Sequence, residues 1–233
     1  DAVNFTTNLA RMLVMKKYPV SWINKTYITP HSFDKTLYPK NIIKNRDAAV
    51  INYLGNFYGP RNPKNFIKAL ERIYEEEPNF FNDVIFRFVG RWIGNDEWKI
   101  EGANLPVGLI EVSPPVSYLE SLAEMNSSDI LLILDAPFIN SVFFPSKLVD
   151  YIGSGKPIMA ITPNGSCLDI LSKVGGEHAS PESVESITLG IRNLINKLRD
   201  GTLKFPEKSY REKFSNKYIS RKFEILFKQL INN

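Results

Sequence analysis

From residue 48 onward, short apolar runs of strand length alternate with longer segments whose apolar residues recur at helical spacing. The runs are 48–54, 84–89, 109–112, 130–134 and 158–161. A strand can pair in parallel with the next one only if the chain crosses back between them, and a helix is the usual crossover. Two of the runs, 130–134 and 158–161, are apolar throughout, as befits strands covered on both faces. The expected class is therefore α/β, a doubly wound parallel sheet with helices on both sides.

The helical segments carry their own start and stop signals. Asn62-Pro63 supplies an N-cap and a first-turn proline before Phe66, Ile67, Leu70, Ile73 and Tyr74. Ser117 and Glu120 have capping-box spacing. Ser180-Pro181 precedes Val184, Ile187, Ile191, Leu194 and Leu198, and Gly201 stops that run. A last helix is expected from Ser215, with Ile219, Phe223, Leu226, Phe227 and Leu230 on its apolar side. Before residue 48 the reading is a short strand within 1–7 and a helix with Leu9, Met12 and Leu13. A second short strand at Tyr27-Ile28 and a polar linker over 35–47 follow. Residues 90–108 read as a long loop bearing Trp92 and Trp98, to which no role is assigned.

Composition excludes several classes. The 233 residues suit one large domain, or one domain with an appendage, and no apolar run nears the ~18 residues of a membrane span. One cysteine, Cys167, excludes an internal disulfide and fits a reducing cytoplasm. With only His31 and His178 beside it, no zinc-type ligand cluster can be assembled, and both histidines read as structural or solvent-facing. A net charge of +4 is too mild to indicate nucleic acid. The basic stretch 208–222 fits a solvated helix face or, alternatively, attraction to an anionic membrane surface.

The segment 144–157, FPSKLVDYIGSGKP, carries the most chemical information. It reads as a loop feeding a short helix, with Ser146 as N-cap and Gly155 ending it in the left-handed conformation. A helix opening from a loop presents free N–H donors and partial positive charge, which suit a phosphate. Asp150 lies one turn further in, where a carboxylate can accept from a ribose diol. Phosphate donors and a diol acceptor one turn apart suit a nucleotide diphosphate, although from the helix alone the plainer reading is a capped helix with an acid near its start. The loop 55–61, Gly55-Asn56-Phe57-Tyr58-Gly59-Pro60-Arg61, leaves the first regular strand at the sheet edge where α/β folds bind ligands. Arg61 can grip a diphosphate in a bidentate contact, or be a solvated surface residue. The loop lacks a G-x-G-x-x-G fingerprint, so no dinucleotide cofactor is indicated. Pro115 and Val116, in the rigid exit from the third strand, can line a flat base pocket or simply connect strand to helix. Tyr118 and Phe144 are candidates for stacking on a ring or for core packing.

Taken in order, these segments resemble the C-terminal, donor-binding half of a GT-B glycosyltransferase, closest to glycosyltransferase family 4. Residues 28–34 (ITPHSFD) resemble that family's I-x-N-G-x-D interdomain segment, and Leu54-Gly55 followed by Arg61 resembles its G-R…K-G phosphate loop. Residues 144–151 resemble its P-x-K-L-x-E-Y box, and 153–157 its A-x-G-x-P stretch. Phe214-Ser215 and the helix after them resemble the closing helix that packs back on the N-terminal domain.

The resemblance implies a Rossmann-like domain and a retaining, metal-independent transfer of a sugar from a nucleotide diphosphate-sugar, with no cofactor. It implies that Gly55, Asn56 and Arg61 form the phosphate loop, with Arg61 as its clamp. Phe144 opens the donor box, backbone of Ser146, Lys147 and Leu148 holds the diphosphate, Asp150 holds the ribose, and Pro115 and Val116 flank the base. The catalytic residues stay unassigned. The implied partitioning is 1–47 as the end of an N-terminal domain plus linker, 48–207 as the donor-binding domain, and 208–233 as the returning helix. Implied partners are a nucleotide-sugar donor and a glycan or lipid-linked acceptor bound through the other domain. The implied setting is the bacterial cytoplasm, at most peripheral at the inner face of the plasma membrane, in surface polysaccharide or glycolipid synthesis. A fragment of this kind is expected to bind nucleotide weakly and to show little turnover alone.

Three departures bear on that reading. Val142 stands where the family's E-x7-E pattern has its first Glu, Asn56 where an Arg is common, and His31-Ser32 where Asn-Gly is common. Val142 and Asn56 keep open a non-catalytic nucleotide-sugar-binding domain; a sugar-nucleotide epimerase of the same architecture is a further alternative, for which the sequence offers few of the carboxylates and histidines needed near the donor.

Overall fold

A computed structural model describes residues 1–40, 46–93 and 103–232; Trp98 and part of the expected linker lie outside the described residues. The chain opens with strand β1 (Val3–Phe5), helix α1 (Asn8–Met15) and strand β2 (Thr26–Ile28), which pairs in parallel with β1. Thr7 caps α1 by accepting from the Ala10 amide at 3.0 Å.

The regular part then runs β3 (Ala49–Leu54), β4 (Phe57–Tyr58), α2 (Lys64–Glu76), β5 (Val84–Val89), β6 (Trp92–Ile93) and β7 (Ile110–Ser113). It continues as α3 (Tyr118–Ser127), β8 (Ile130–Leu134), β9 (Asn140–Ser141), α4 (Ser146–Ser154), β10 (Ile158–Ile161), β11 (Asn164–Gly165), α5 (Ser166–Val174), β12 (Glu177–Ala179) and α6 (Val184–Arg199). After it come α7 (Lys208–Arg211) and α8 (Asn216–Ile231).

Six of these strands form one sheet, ordered β12-β10-β8-β3-β5-β7, with every pairing parallel. Numbered along the sheet's own strands, that is 6-5-4-1-2-3, the Rossmann order. The expected doubly wound α/β sheet is thus present. Its central strand β8 is buried at every residue. Alternation divides its side chains: Ile130, Leu132 and Leu134 face α2 and α6, while Leu131 and Ile133 face α3, α4 and α5. Phe66, Leu70 and Ile73 with Ile187, Ile191 and Leu194 close the first face; Leu122, Met125, Leu148, Ile152 and Leu171 close the second.

Several local expectations need correcting. The sheet has a sixth strand, β12, and a helix, α5, in a stretch where the sequence offered only a short polar-interrupted pattern. Ser180-Pro181 does not start α6; Ser183 does, accepting from the Ser186 amide at 3.0 Å. Ser146 is not the cap of α4 either. The boundary residue is Pro145, and no side chain caps the helix. The Gly155 stop is as expected, at φ +73°. Trp92 packs against Phe57 and Phe88, with ring centroids 4.8 and 6.1 Å away, so it is a prop for the loop after β3.

Residues 33–39 lie against the sheet's second face. Phe33 is buried, its amide donates to the Phe214 carbonyl at 3.0 Å, and its carbonyl accepts from the Asn216 amide at 2.8 Å. The Tyr38 hydroxyl donates to the Asp150 carbonyl at 2.7 Å, and the Asn126 side-chain amide to the Pro39 carbonyl at 3.1 Å. Residues 33–39 thus join residues 214–216 to α3 and α4. By contrast, the expected apolar faces of α1 and α8 are partly open: Met12, Leu13, Phe227 and Leu230 are exposed, while Ile219 and Leu226 are buried.

Candidate functional site: a cleft at the sheet switch point

In a sheet of this order the crossovers from β3 and β8 leave in opposite directions, which opens a crevice beyond their carboxyl ends. The cleft found there has a volume of about 510 Å³ and is lined by the loop from Tyr58 to Arg61, by Asp135–Ala136, and by the approach to α4. Of the residues singled out in the sequence, it contains Arg61, Phe144, Ser146 and Lys147.

Arg61 is held in place from two sides. Its Nη2 lies 2.8 Å from Asp135 Oδ1 and its Nη1 donates to the Tyr58 hydroxyl at 3.1 Å. The Tyr58–Arg61 turn is closed by two backbone hydrogen bonds of 3.0 Å, which set the guanidinium over the Tyr58 ring at 5.1 Å. Asp135 in turn accepts from Thr162 Oγ1 at 3.1 Å, and the Thr162 carbonyl contacts His178 Nε2 at 2.8 Å. One polar chain thus ties together the carboxyl ends of β8 and β10 and the middle of β12. Asp135 was not singled out in the sequence; its position directly after a buried strand was the available signal.

The start of α4 faces the same cleft. The Ser146 and Lys147 amides have no acceptor among the described residues, whereas the Leu148 amide is used by the Pro145 carbonyl at 2.9 Å. Leu148 itself is a core side chain. Two free donors, not three, therefore point outward, at the positive end of the helix dipole. The Lys147 amine turns back under the loop after β3. It sits 4.0 Å from the centre of the Tyr53 ring, buried and without a hydrogen-bond acceptor. Burial first, and the neighbouring Arg61 second, lower its pKa to about 7.

Gly55 makes room for that amine. A Cβ there would lie 2.5 Å from Lys147 Nζ, and φ of +142° disfavours any side chain. Asn56 is turned away from the cleft: its side-chain oxygen accepts from the Arg91 amide at 2.9 Å, and its carbonyl from the Tyr53 hydroxyl at 3.1 Å. It shapes the loop and offers no cation.

Asp150 lies deeper along α4. Its Oδ1 accepts from the Tyr118 hydroxyl at 3.0 Å, and burial raises its pKa to about 6 against the lowering effect of that bond. Tyr118, itself raised to about 12 chiefly by burial, is therefore the acid's partner. Pro115 and Val116 are exposed on the connection into α3. Phe144 is buried between the rings of His31 and Phe214, at 5.5 and 5.9 Å, so it is a packing residue. Val142 contributes its carbonyl, which accepts from Thr7 Oγ1 at 2.9 Å and Ser166 Oγ at 3.0 Å.

Three kinds of comparison bear on this arrangement. No family model matches the sequence, and no curated protein matches it significantly. Solved structures do. HepE from Anabaena, crystallised with UDP and glucose, superposes with a TM-score of 0.77 at 14% identity, over 98% of this chain and 63% of its own. A glycosyltransferase from Rickettsia africae gives 0.76 at 15% identity, over 100% of this chain and 64% of its own. Sucrose-phosphate synthase from Thermosynechococcus elongatus gives 0.70 at 15%, covering 59% of that protein. The chain thus spans less than two thirds of the length of these relatives. Its six-stranded sheet and flanking helices are the fold of a GT-B glycosyltransferase's C-terminal half.

Proposed function

We propose that this chain is the nucleotide-sugar-binding part of a glycosyltransferase. The observation that carries this reading is the convergence, in one switch-point cleft, of Arg61 and the two unpaired amides that open α4. Guanidinium and helix-start amides are the donors that a diphosphate needs. The Tyr58, Phe138 and Phe143 side chains exposed along the cleft offer apolar surface to the rest of a donor. One turn further along α4, the second oxygen of Asp150 is the proposed acceptor for the ribose diol, and Pro115 and Val116 flank the base.

Transfer is proposed to be retaining and metal-independent, with the acceptor, a glycan or glycolipid, bound by a second domain. The open apolar surface around Val3, Val14, Tyr18 and Trp22, together with that of α8, supports a further domain packing there. On this reading residues 1–47 end that domain and its linker, 48–207 form the donor domain, and 208–233 return to the interface. Surface polysaccharide or glycolipid synthesis at the inner face of a bacterial plasma membrane is the proposed setting; no helix among the described residues is long and apolar enough to cross a membrane.

Val142 favours a second reading, nucleotide-sugar binding without transfer. Its carbonyl braces Thr7 and Ser166, and it brings no carboxylate to the cleft. Calorimetry with UDP, GDP, TDP and ADP, repeated on Arg61→Ala and Asp150→Ala, tests the site. One nucleotide should bind, and each substitution should weaken it by about tenfold or more. Indifference of every nucleotide to both substitutions would sink the site. Supplying the proposed second domain and assaying sugar transfer separates the two readings.

A further inference from the structure

The start of α4 offers an anion only the backbone of Lys147, which leaves the amine of that residue without a role. Its position is unusual. A lysine at the second position of an exposed helix start ordinarily extends into water. Here the side chain folds back across the end of β3, and its nitrogen occupies the space left by Gly55. The nitrogen is shielded from solvent and lacks any hydrogen-bond acceptor; Arg61 Nε, on the same cleft, is also buried and without a partner. Two buried donors with unused hydrogens, beside two unpaired helix amides, describe an anion site awaiting its anion.

We propose that the Lys147 amine is the second cationic ligand of the diphosphate, and that binding of the anion is coupled to protonation of this amine. The inference rests on the nucleotide reading given above. In the free protein the amine is disfavoured as a cation by burial and by Arg61. Asp135, Cys167 and the Tyr53 ring, facing it from just beyond β8, from α5 and from β3, favour the charge but do not offset the burial. A diphosphate placed against the first amides of α4 adds negative charge beside the nitrogen, and the ammonium becomes the stable form. The proton comes from the buffer and forms an N–H bond on Nζ; no covalent bond to the ligand is made. The lysine thereby supplies the basic group that Asn56, committed to the Arg91 amide, cannot.

The sign follows from the free amine's pKa of about 7. Above that value the free protein must take up a proton on binding, so affinity falls as pH rises from about 7 to about 9, by up to about tenfold per unit. Nucleoside diphosphates are already fully ionised over that range, their last phosphate proton leaving near pH ~6. Titration calorimetry of UDP and of inorganic pyrophosphate at about pH 8, in buffers of differing ionisation enthalpy, reads the proton directly. We expect approaching one proton taken up per UDP bound, whereas pyrophosphate, which still carries a proton of its own at this pH, reports binding without that uptake. Lys147→Met, which keeps the packing on Tyr53 and removes a buried amine, should melt no lower than the parent, lose the proton uptake and bind about tenfold or more weakly. UDP binding by the unaltered protein without proton uptake, or Lys147→Met binding with an unchanged pH slope, would overturn the assignment while leaving the nucleotide site standing. Failure of the unaltered protein to bind either probe would overturn both.

Discussion

Arg61 and Asp135 meet across the switch point of the sheet, Nη2 to Oδ1 at 2.8 Å, joining the loop after β4 to the residue that follows β8. The pair is mostly buried, with side-chain exposures of 21% and 8%. It orients the clamp, and it also places a carboxylate where a phosphate oxygen would go. Asp135→Asn should therefore destabilise the free protein by about 1–3 kcal/mol, because a half-buried guanidinium loses its counter-ion. The same change should tighten UDP binding severalfold, since the ligand no longer competes with an anion for Arg61. Urea unfolding and calorimetry on one preparation read both effects, and weaker UDP binding by Asp135→Asn would contradict the competition.

Asp150 predicts a pH effect of defined sign. Its pKa in the folded protein is about 6, against about 3.9 in an unfolded chain. The native state thus binds more protons between those values, and stability is lost as pH rises from about 4 to about 6. Partial contact with water trims the full shift to about 1–2 kcal/mol. Asp150→Asn, which can still accept from Tyr118, should gain that much stability at about pH 7.5 and nothing near pH 4. Melting curves at the two pH values check it. An equal gain at both would mean that the carboxylate's charge is not the cause.

Tyr151 holds α4 to the two central strands. Its buried hydroxyl accepts from the Leu54 amide at 3.0 Å and donates to the Leu132 carbonyl at 3.3 Å. Tyr151→Phe leaves that amide unsatisfied inside the core, at a cost of about 1–3 kcal/mol. Because the helix start is also anchored by its apolar face, nucleotide affinity should change less than about threefold. Denaturant unfolding with parallel calorimetry distinguishes this from a role in binding.

Gly153 is a helical glycine whose value lies in the space it leaves. A Cβ there would lie 2.4 Å from the Tyr38 hydroxyl and 2.6 Å from Phe33 Cγ. Helix propensity alone would reward Gly153→Ala by about 1 kcal/mol. The displaced Phe33 ring reverses that, and a net loss of about 1–3 kcal/mol is expected. Proteolysis should then cut between residues 33 and 40 sooner than in the parent. An alanine variant as stable as the parent would show that the segment docks without this contact.

The regular elements were legible because their signals are local. Residues 84–89, 130–134 and 158–161 form strands over the spans expected, each being an apolar run flanked by turn residues. The capping box at Ser117 and Glu120 is present, with the Glu120 amide 3.3 Å from the Ser117 hydroxyl and the Ser117 amide 2.8 Å from the Glu120 carboxylate. Strand β12 escaped because Glu177-His178-Ala179 has no apolar pattern of its own; only the edge of β10 makes it a strand. Ser146 was misjudged as a cap because serine before an apolar turn is the usual signal, and Pro145 took that place instead.

By itself, the sequence determined the periodicities, and with them the class of sheet, its two covered faces and the loop from which α4 opens. Those properties depend on residues close together in the chain. The tertiary structure alone decided which side chains share the cleft. Arg61 meets Asp135 across 74 positions, Tyr118 meets Asp150 across 32, and the Lys147 amine comes to rest beside Gly55. A charge's partners, its burial and hence its proton are set by neighbours in space. For that reason Asp135 and the Lys147 side chain became visible only once β3 and β8 lay side by side.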